Sequence, residues 1–264
     1  MISHDPLTLI GAALVGMTAV MFALWLVEVR GRNVSLADVG WCLGLSGVVT
    51  WYGTAASGDP VRRALLVAMV TIYALRLGLY ILLNRVIGKG EDPRYQWLRS
   101  RLGSRERFGV FGYFLLQAPA VVLFSLPPLT VMQNPRPTFS LWELAGVLVW
   151  LVAVVGESIA DWQLATFRTK PWNVNRVCRS GLWYYSRHPN YFFEWLHWWA
   201  YVVMAIDTPG WLLTWIGPLA MGIALLKVTG IPLAERQALI ARGEDYRTYQ
   251  RTTNAFVPWF PKRQ

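Results

Sequence analysis

Four ionisable residues interrupt long apolar stretches of this 264-residue chain: Asp38, Arg76, Glu157 and Asp161. A charge in such surroundings is expensive and is retained where it pairs with another group or meets a ligand. Tyr73 and Arg76 are three residues apart, and Glu157 and Asp161 four, so each pair shares a helix face. Asp38 and Tyr73 fall on consecutive antiparallel segments and can meet in a cavity. The other reading is a structural polar cluster, for example Asp38 with Arg76, that holds helices together. The residues alone leave both readings open.

The densest run of polar chemistry comprises Glu157, Asp161, Arg168, Arg176, then Ser186-Arg187-His188-Pro189-Asn190-Tyr191, then Glu194. Pro189 stops a helix arriving from upstream, and Asn190 is expected as N-cap of the helix that follows. A helix N-terminus near arginines suits phosphate groups, and Asp161 can accept hydrogen bonds from ribose hydroxyls or a base. Together these residues predict a nucleotide site, although each arginine taken singly reads as topological charge. No GxGxxG or GxxxxGK[ST] occurs, so neither a Rossmann nor a P-loop fold is implied. His188 and His197 lack a third ligand at suitable spacing, so no metal is expected. His197, within the segment Trp195–Trp199, reads as an interfacial residue. Gly243-Glu244-Asp245-Tyr246, with Tyr249 and Arg251, lies in a polar amphipathic tail that either stays solvated or closes over a ligand. Cys42 and Cys178 form no CxxC or metal pair and read as free thiols.

Helices must position these residues. Candidate spans run over 7–29, 36–56, 64–86, 108–132, 141–165, 190–206 and 211–229, against the roughly 20 residues that cross a bilayer core. Lipid leaves the backbone of such segments no alternative to helix. Pro119, Pro127 and Pro128 should kink or break the fourth span. The composition agrees with a membrane chain: 55% hydrophobic and 15% charged, where soluble domains carry about a quarter charged residues. The net charge of +10 does not signal nucleic acid, because the charges sit in loops and leave no basic soluble domain. It reads as topology and contact with anionic lipid. Twenty-one of the 25 basic residues fall on one side of a seven-span arrangement. The opposite side holds Arg62, Arg63 and Arg136, and Arg76 lies within a span. The positive-inside rule then puts the N-terminus outside and the C-terminus in the cytoplasm. The lead His4-Asp5-Pro6 has no positive n-region, so no cleavable signal peptide is expected. The expectation is an all-α, polytopic membrane protein. One membrane domain covers 1–264, with cytoplasmic loops forming a cofactor site.

Ser186 to Glu194, preceded by Gly181-Leu182-Trp183 and followed by Arg251 and Ala255-Phe256-Val257-Pro258-Trp259-Phe260-Pro261, resembles the steroid 5α-reductase-like family, and within it a bacterial branch of membrane proteins. The likeness covers nearly the whole chain and is strongest over 157–194. Tyr73-x-x-Arg76 and Leu82-Leu83-Asn84-Arg85 form a second anchor. The wider superfamily includes sterol reductases and isoprenylcysteine carboxyl methyltransferases with a similar His-Pro-x-Tyr region. The resemblance implies NADPH and a 3-oxo-Δ4-steroid. Asp161, Arg168, Arg176 and Asn190 match cofactor-contacting positions, and Glu194 matches an acidic position beside them. Glu157 stands where the family's animal enzymes carry asparagine. Tyr246 and Arg251 match C-terminal cofactor contacts. Tyr73 matches the tyrosine that hydrogen-bonds the 3-keto oxygen, and Asp38 stands where those enzymes carry a glutamate with that role.

The reaction so implied is 5α-reduction. Hydride reaches C5, a proton reaches C4, and donors aimed at the carbonyl oxygen stabilise the charge that develops there. The steroid, or another lipophilic enone, would enter from lipid, in a monomer held in the inner membrane if the source is bacterial. Two rivals are an S-adenosylmethionine-dependent methyltransferase and a non-catalytic lipid-binding protein or transporter. The first makes no use of an arginine cluster, because its cofactor has no phosphate. The second lacks the paired broken helices expected of a transporter. Reporter fusions after residues 60, 100, 135, 180, 208 and 264 should alternate between outside and cytoplasm in that order. A C-terminal reporter active only outside would overturn the orientation.

Overall fold

The computed structural model of the chain describes residues 5–262, so His4 and Arg263 of the sequence argument lie outside the described residues. Every regular element among the described residues is helical. The order is α1 Pro6–Gly31, α2 Ser35–Ala55, α3 Pro60–Ile81, α4 Pro93–Leu102, α5 Glu106–Met132, α6 Leu141–Arg168, α7 Leu182–Tyr185, α8 Pro189–Met204, α9 Ile216–Ile223 and α10 Ile231–Thr252. An Asp-Pro pair opens α1, α3 and α4. Proline is preorganised for the first helical position, and Asp59 and Asp92 accept from the amides of Arg62 and Arg94.

Five helical stretches among the described residues are long and apolar enough to cross a membrane: Pro6–Gly31, Pro60–Val86, Pro93–Met132, Leu141–Arg168 and Trp211–Thr252. This is compatible with an integral membrane protein. The predicted second span forms α2, whose Asp, Ser and Gly residues dilute its apolarity. The predicted sixth forms α8, only 16 residues long. The predicted seventh is irregular, passing from a 3-10 turn at Trp211–Trp215 through α9 to a π-turn at Ala224–Val228. A second π-turn, Leu82–Val86, ends α3. Of the kink or break expected in the fourth span, the break does not occur: α5 runs on through Pro119, Pro127 and Pro128. Each proline removes one amide donor, freeing the carbonyls of Leu115, Leu123 and Phe124, while the turns on either side keep the helix.

The chain forms two compact units, Met1–Ser140 with Ala205–Gly217, and Leu141–Met204 with Pro218–Gln264. In the first, α2 packs against α1, α3 and α5. Gly40 and Gly44 face Leu24 and Met17 of α1 so closely that a Cβ would overlap them, the small-residue packing usual between apolar helices. In the second unit α6 and α8 run side by side. A Cβ on Gly156 would sit 2.5 Å from the Phe193 ring.

Arg62, expected as an outer-loop charge, is fully buried in the first unit. Its guanidinium donates to the carbonyls of Asn134, Arg136 and Thr138 at 2.8–3.2 Å, gathering the chain that leaves α5. Orphaning a buried polar group costs roughly 1–3 kcal/mol. Arg62→Met should therefore lose about 3 kcal/mol or more in unfolding of the purified protein. Wild-type stability in that variant would return Arg62 to the role of a topological charge.

Candidate functional site

The close approach at Gly156 brings Asn190 of α8 to Asp161 of α6, with Asn190 Nδ2 donating to Asp161 Oδ1 at 3.2 Å. Asn190 is therefore not the helix cap. Pro189 takes the first helical position, and the preceding turn is closed by Ser186 Oγ, which accepts from the His188 amide at 3.1 Å. The Asn190 side chain is free of capping duty and turns to α6. Its Oδ1 is buried without a partner, an acceptor suited to an incoming donor. Glu157 and Asp161 are both buried on α6, as their four-residue spacing predicts. Glu194, also buried, accepts from Trp198 Nε1 at 3.4 Å.

Beyond this pair the second unit turns cationic. Arg168 ends α6 and Arg176 follows in the loop, both exposed. Neither guanidinium has an ion-pair partner among the described residues. Arg242 of α10 donates through Nε to the Arg176 carbonyl at 2.9 Å, and its charge is repelled by that of Arg168. Asp245 is engaged elsewhere, pairing with Arg179 at 2.6 Å and accepting from the Val177 amide at 3.0 Å. Tyr246 packs into a cluster with Ala238 and Tyr249. Arg251 is exposed and turns along α10 to Thr248 and Glu244, so it does not join Arg168 and Arg176.

Arg187, inside the motif, is a clamp. Its Nε donates to Glu235 Oε1 at 2.7 Å, its Nη1 to the Gln250 and Thr253 carbonyls, and its amide to the Asn254 carbonyl. The Trp259 amide donates to the Tyr185 carbonyl at 2.9 Å and Ser186 Oγ to that of Phe256 at 2.8 Å. The C-terminal segment is thus strapped across the His-Pro loop. His188 stacks on Tyr191 and places Nε2 3.3 Å from Glu235 Oε1. His197, expected at an interface, is fully buried with Nε2 3.1 Å from Tyr201 Oη.

In the first unit Asp38 and Tyr73 are separated. Cys42 lies against Gly78, and Ser46 Oγ is 3.0 Å from Thr71 Oγ1. This antiparallel register puts about 9–13 Å of helix axis between Asp38 and Tyr73 at 1.5 Å per residue. Tyr73 is fully buried in α3. Asp38 accepts from Tyr95 Oη at 2.6 and 2.7 Å and from Tyr113 Oη at 3.3 Å, with Arg94 Nη2 at 4.0 Å. The expected alternative partner, Arg76, is not among these contacts. Arg94 also binds Asp92 at 2.9 Å. Burial opposes ionisation of Asp92, but the hydrogen bonds and charge of Arg94, with the charge of Arg85, outweigh it and hold the carboxyl below its usual range.

The family model described as "Protein of unknown function (DUF1295)" matches residues 24–253. The chain belongs to the DUF1295 family. The DUF1295 match spans both loci, from α2 with Asp38 to the turn of chain that accepts from Arg187. No curated protein and no solved structure matches the chain.

Sequence reasoning missed Tyr95, Tyr113, Glu235 and Arg242. Each lies far in sequence from the group it serves, and each reads as loop polarity or an ordinary helix residue. The one local signal was Asp92-Pro93, which announces the start of α4 and so places Tyr95 on a helix.

His188 yields a pH prediction. Burial lowers its pKa below the ordinary 6.5, against the opposing pull of Glu235 and with help from Arg187. Below pH 6.5 the unfolded chain takes up a proton that the folded chain refuses, so stability should fall as pH drops through that range. His188→Gln should flatten the thermal-stability profile there. An unchanged slope in the variant would remove His188 as its source.

Proposed function

We propose that this protein is a seven-span membrane reductase, N-terminus outside and C-terminus cytoplasmic, that uses NADPH to reduce the Δ4 double bond of a 3-oxo-Δ4-steroid or a similar lipophilic enone. The observation that carries the reading is the arrangement in the second unit. Exposed arginines without acid partners end α6 and follow in the loop after it, and α6 also carries buried Asp161, which accepts from half-buried Asn190 of α8. Phosphates need the first, and ribose or amide groups need the second. The partnerless Asn190 Oδ1 fits a nucleotide amide or hydroxyl donor. The resemblance of Ser186–Glu194 to the steroid 5α-reductase-like family supplies the reaction class.

Arg168 and Arg176 would hold phosphate groups, with Asp161, Asn190 and Glu194 fixing sugar or nicotinamide groups and Glu157 supporting them from α6. NADPH, when bound, supplies the hydride. On the carbonyl side, Tyr73 is a buried phenol on an apolar helix, where a donor aimed at a developing oxyanion is worth about 10²–10³ in rate. Asp38 acts from its own cluster with Tyr95 and Tyr113 and sets the proton inventory there. The Arg187 clamp gives the motif a second task, since it fixes the loop that presents Asn190.

Tyr73→Phe should keep NADPH binding and lose most single-turnover hydride transfer, read as loss of NADPH absorbance with a 3-oxo-Δ4-steroid. Asp38→Asn should impair turnover separately. Because the two side chains stand apart, their losses should multiply in the double mutant. A Tyr73→Phe enzyme that transfers hydride at the wild-type rate would sink this mechanism. Absence of NADPH binding to the wild-type protein would sink the cofactor assignment itself.

A further inference from the structure

Of the five long apolar stretches, α1 is the least covered by the rest of the protein: 17% of its apolar window is buried, against 33–39% in the others. Its exposed face carries a groove of about 590 Å³, shared with α5, within the roughly 300–1,000 Å³ of ligand clefts. Ala19 is small and leaves the depression, and the rings of Phe22 and Phe111 wall it. The hydroxyl on its lining, Thr18 Oγ1, donates to the Leu14 carbonyl at 2.7 Å, so its proton is spent within the helix. Phe22, Trp25 and Phe111 pack ring against ring, with centroids 4.7–6.3 Å apart. Such a groove suits a hydrocarbon chain rather than a polar ligand.

One end of the groove leads to charge of a single sign. Arg32, just past α1, pairs with Glu106, the first residue of α5, at 2.7 Å. The end of α1 and the start of α5 therefore meet, and Arg30 and Arg107 stand at that same edge, both exposed. Arg107 is four residues from Phe111 on one side of α5, about 6 Å along the axis. Arg30 lies about 12 Å beyond Phe22 along α1. The acids of this edge are taken by other arginines: Glu106 by Arg32 and Arg99, Glu28 and Glu91 by Arg99. Neither Arg30 nor Arg107 has an ion-pair partner among the described residues.

We propose that the α1–α5 groove, with Arg30 and Arg107 at its end, is a binding site for one anionic phospholipid. The phosphate lies at the level of the two guanidiniums and an acyl chain runs below it over Ala19, between Phe22 and Phe111. Each half of the site needs the other. An apolar wall alone gives a lipid chain little that other chains do not, and two exposed arginines alone hold a headgroup only as a diffuse counter-ion. Joined, they select both where the lipid sits and which headgroup it carries. Arginine suits the task, because its stem lies on apolar surface while its head stays at the polar level. The lipid so held covers the span that the protein itself leaves barest. None of these residues belongs to the nucleotide site proposed above, so the two proposals are tested separately.

Delipidated full-length protein in detergent is given equal amounts of dioleoyl phosphatidylglycerol and dioleoyl phosphatidylcholine, and the lipid retained is read by native mass spectrometry. Wild type should keep one phosphatidylglycerol with a preference of about tenfold or more, the effect of two arginines near a headgroup. The double variant Arg30→Gln, Arg107→Gln should bring the two lipids close to parity. Lys170→Gln with Lys262→Gln removes the same charge from exposed positions of the other unit and should keep the preference. Ala19→Phe fills the groove from an exposed position, so it should lower retention of both lipids while the melting temperature holds. Equal retention of the two lipids by wild type overturns the proposal. So does a preference that survives loss of Arg30 and Arg107, or one that falls as far in the lysine variant, which would mark a diffuse charge effect. Retention unchanged in Ala19→Phe would take the lipid out of the groove and overturn it as well.

Discussion

A buried guanidinium has five N–H donors in a rigid fork, and it is tolerable only where acceptors meet them. This chain places such a fork at three of its junctions. Arg62 collects the three carbonyls that follow α5. Arg99 of α4 binds Glu28 of α1, Glu91 of the preceding loop and Glu106 at the start of α5. Arg187 binds Glu235 and the carbonyls that end α10. Apolar helices can slide past one another with little change in packing energy. A fork with fixed angles cannot, so these three residues set the register that the apolar faces leave loose.

The same rule sorts the remaining charges by use. An arginine whose donors are all met is spent on the fold and has nothing to offer a ligand. Arg168 and Arg176 have not been spent in this way, and Arg242 has been spent only in part. Asp38 illustrates the converse for carboxylates: two phenols and a guanidinium surround it, so any ligand it meets must displace or extend an existing network. Tyr73 has no such acidic neighbour in Asp38, and the two groups are separate chemical centres rather than a pair.

Much of this was legible in the sequence because apolar runs and Asp-Pro starts are local signals. The limits of α1, α2 and α6 follow from run length alone, and the four-residue spacing of Glu157 and Asp161 gave their shared burial. The prolines of α5 allowed a kink or a break, and the break does not occur, because each proline removes a single amide donor from a long run of helical bonds. Asn190 misled: it is a good cap by type, but Pro189 had already claimed the position that fixes the start of α8. Asp38 and Tyr73 were juxtaposed on helix order, while the actual register follows Gly78 against Cys42, a contact that only tight packing selects. Partners such as Tyr95 for Asp38 and Glu235 for His188 lie some fifty residues away, where no spacing rule reaches.

The strap formed by the last residues bears on how the protein is made. Arg187 emerges during synthesis well before Gln250, Thr253 and Asn254, the residues whose carbonyls complete its coordination. Until those residues are released, a guanidinium destined for burial must stay hydrated, and the loop that presents Asn190 stays open. Assembly of that loop therefore waits for the chain through Asn254, even if the helices insert one by one. A stop between α8 and Gln250 leaves an intact set of upstream apolar helices with an unclosed polar loop, a segment open to quality-control proteases.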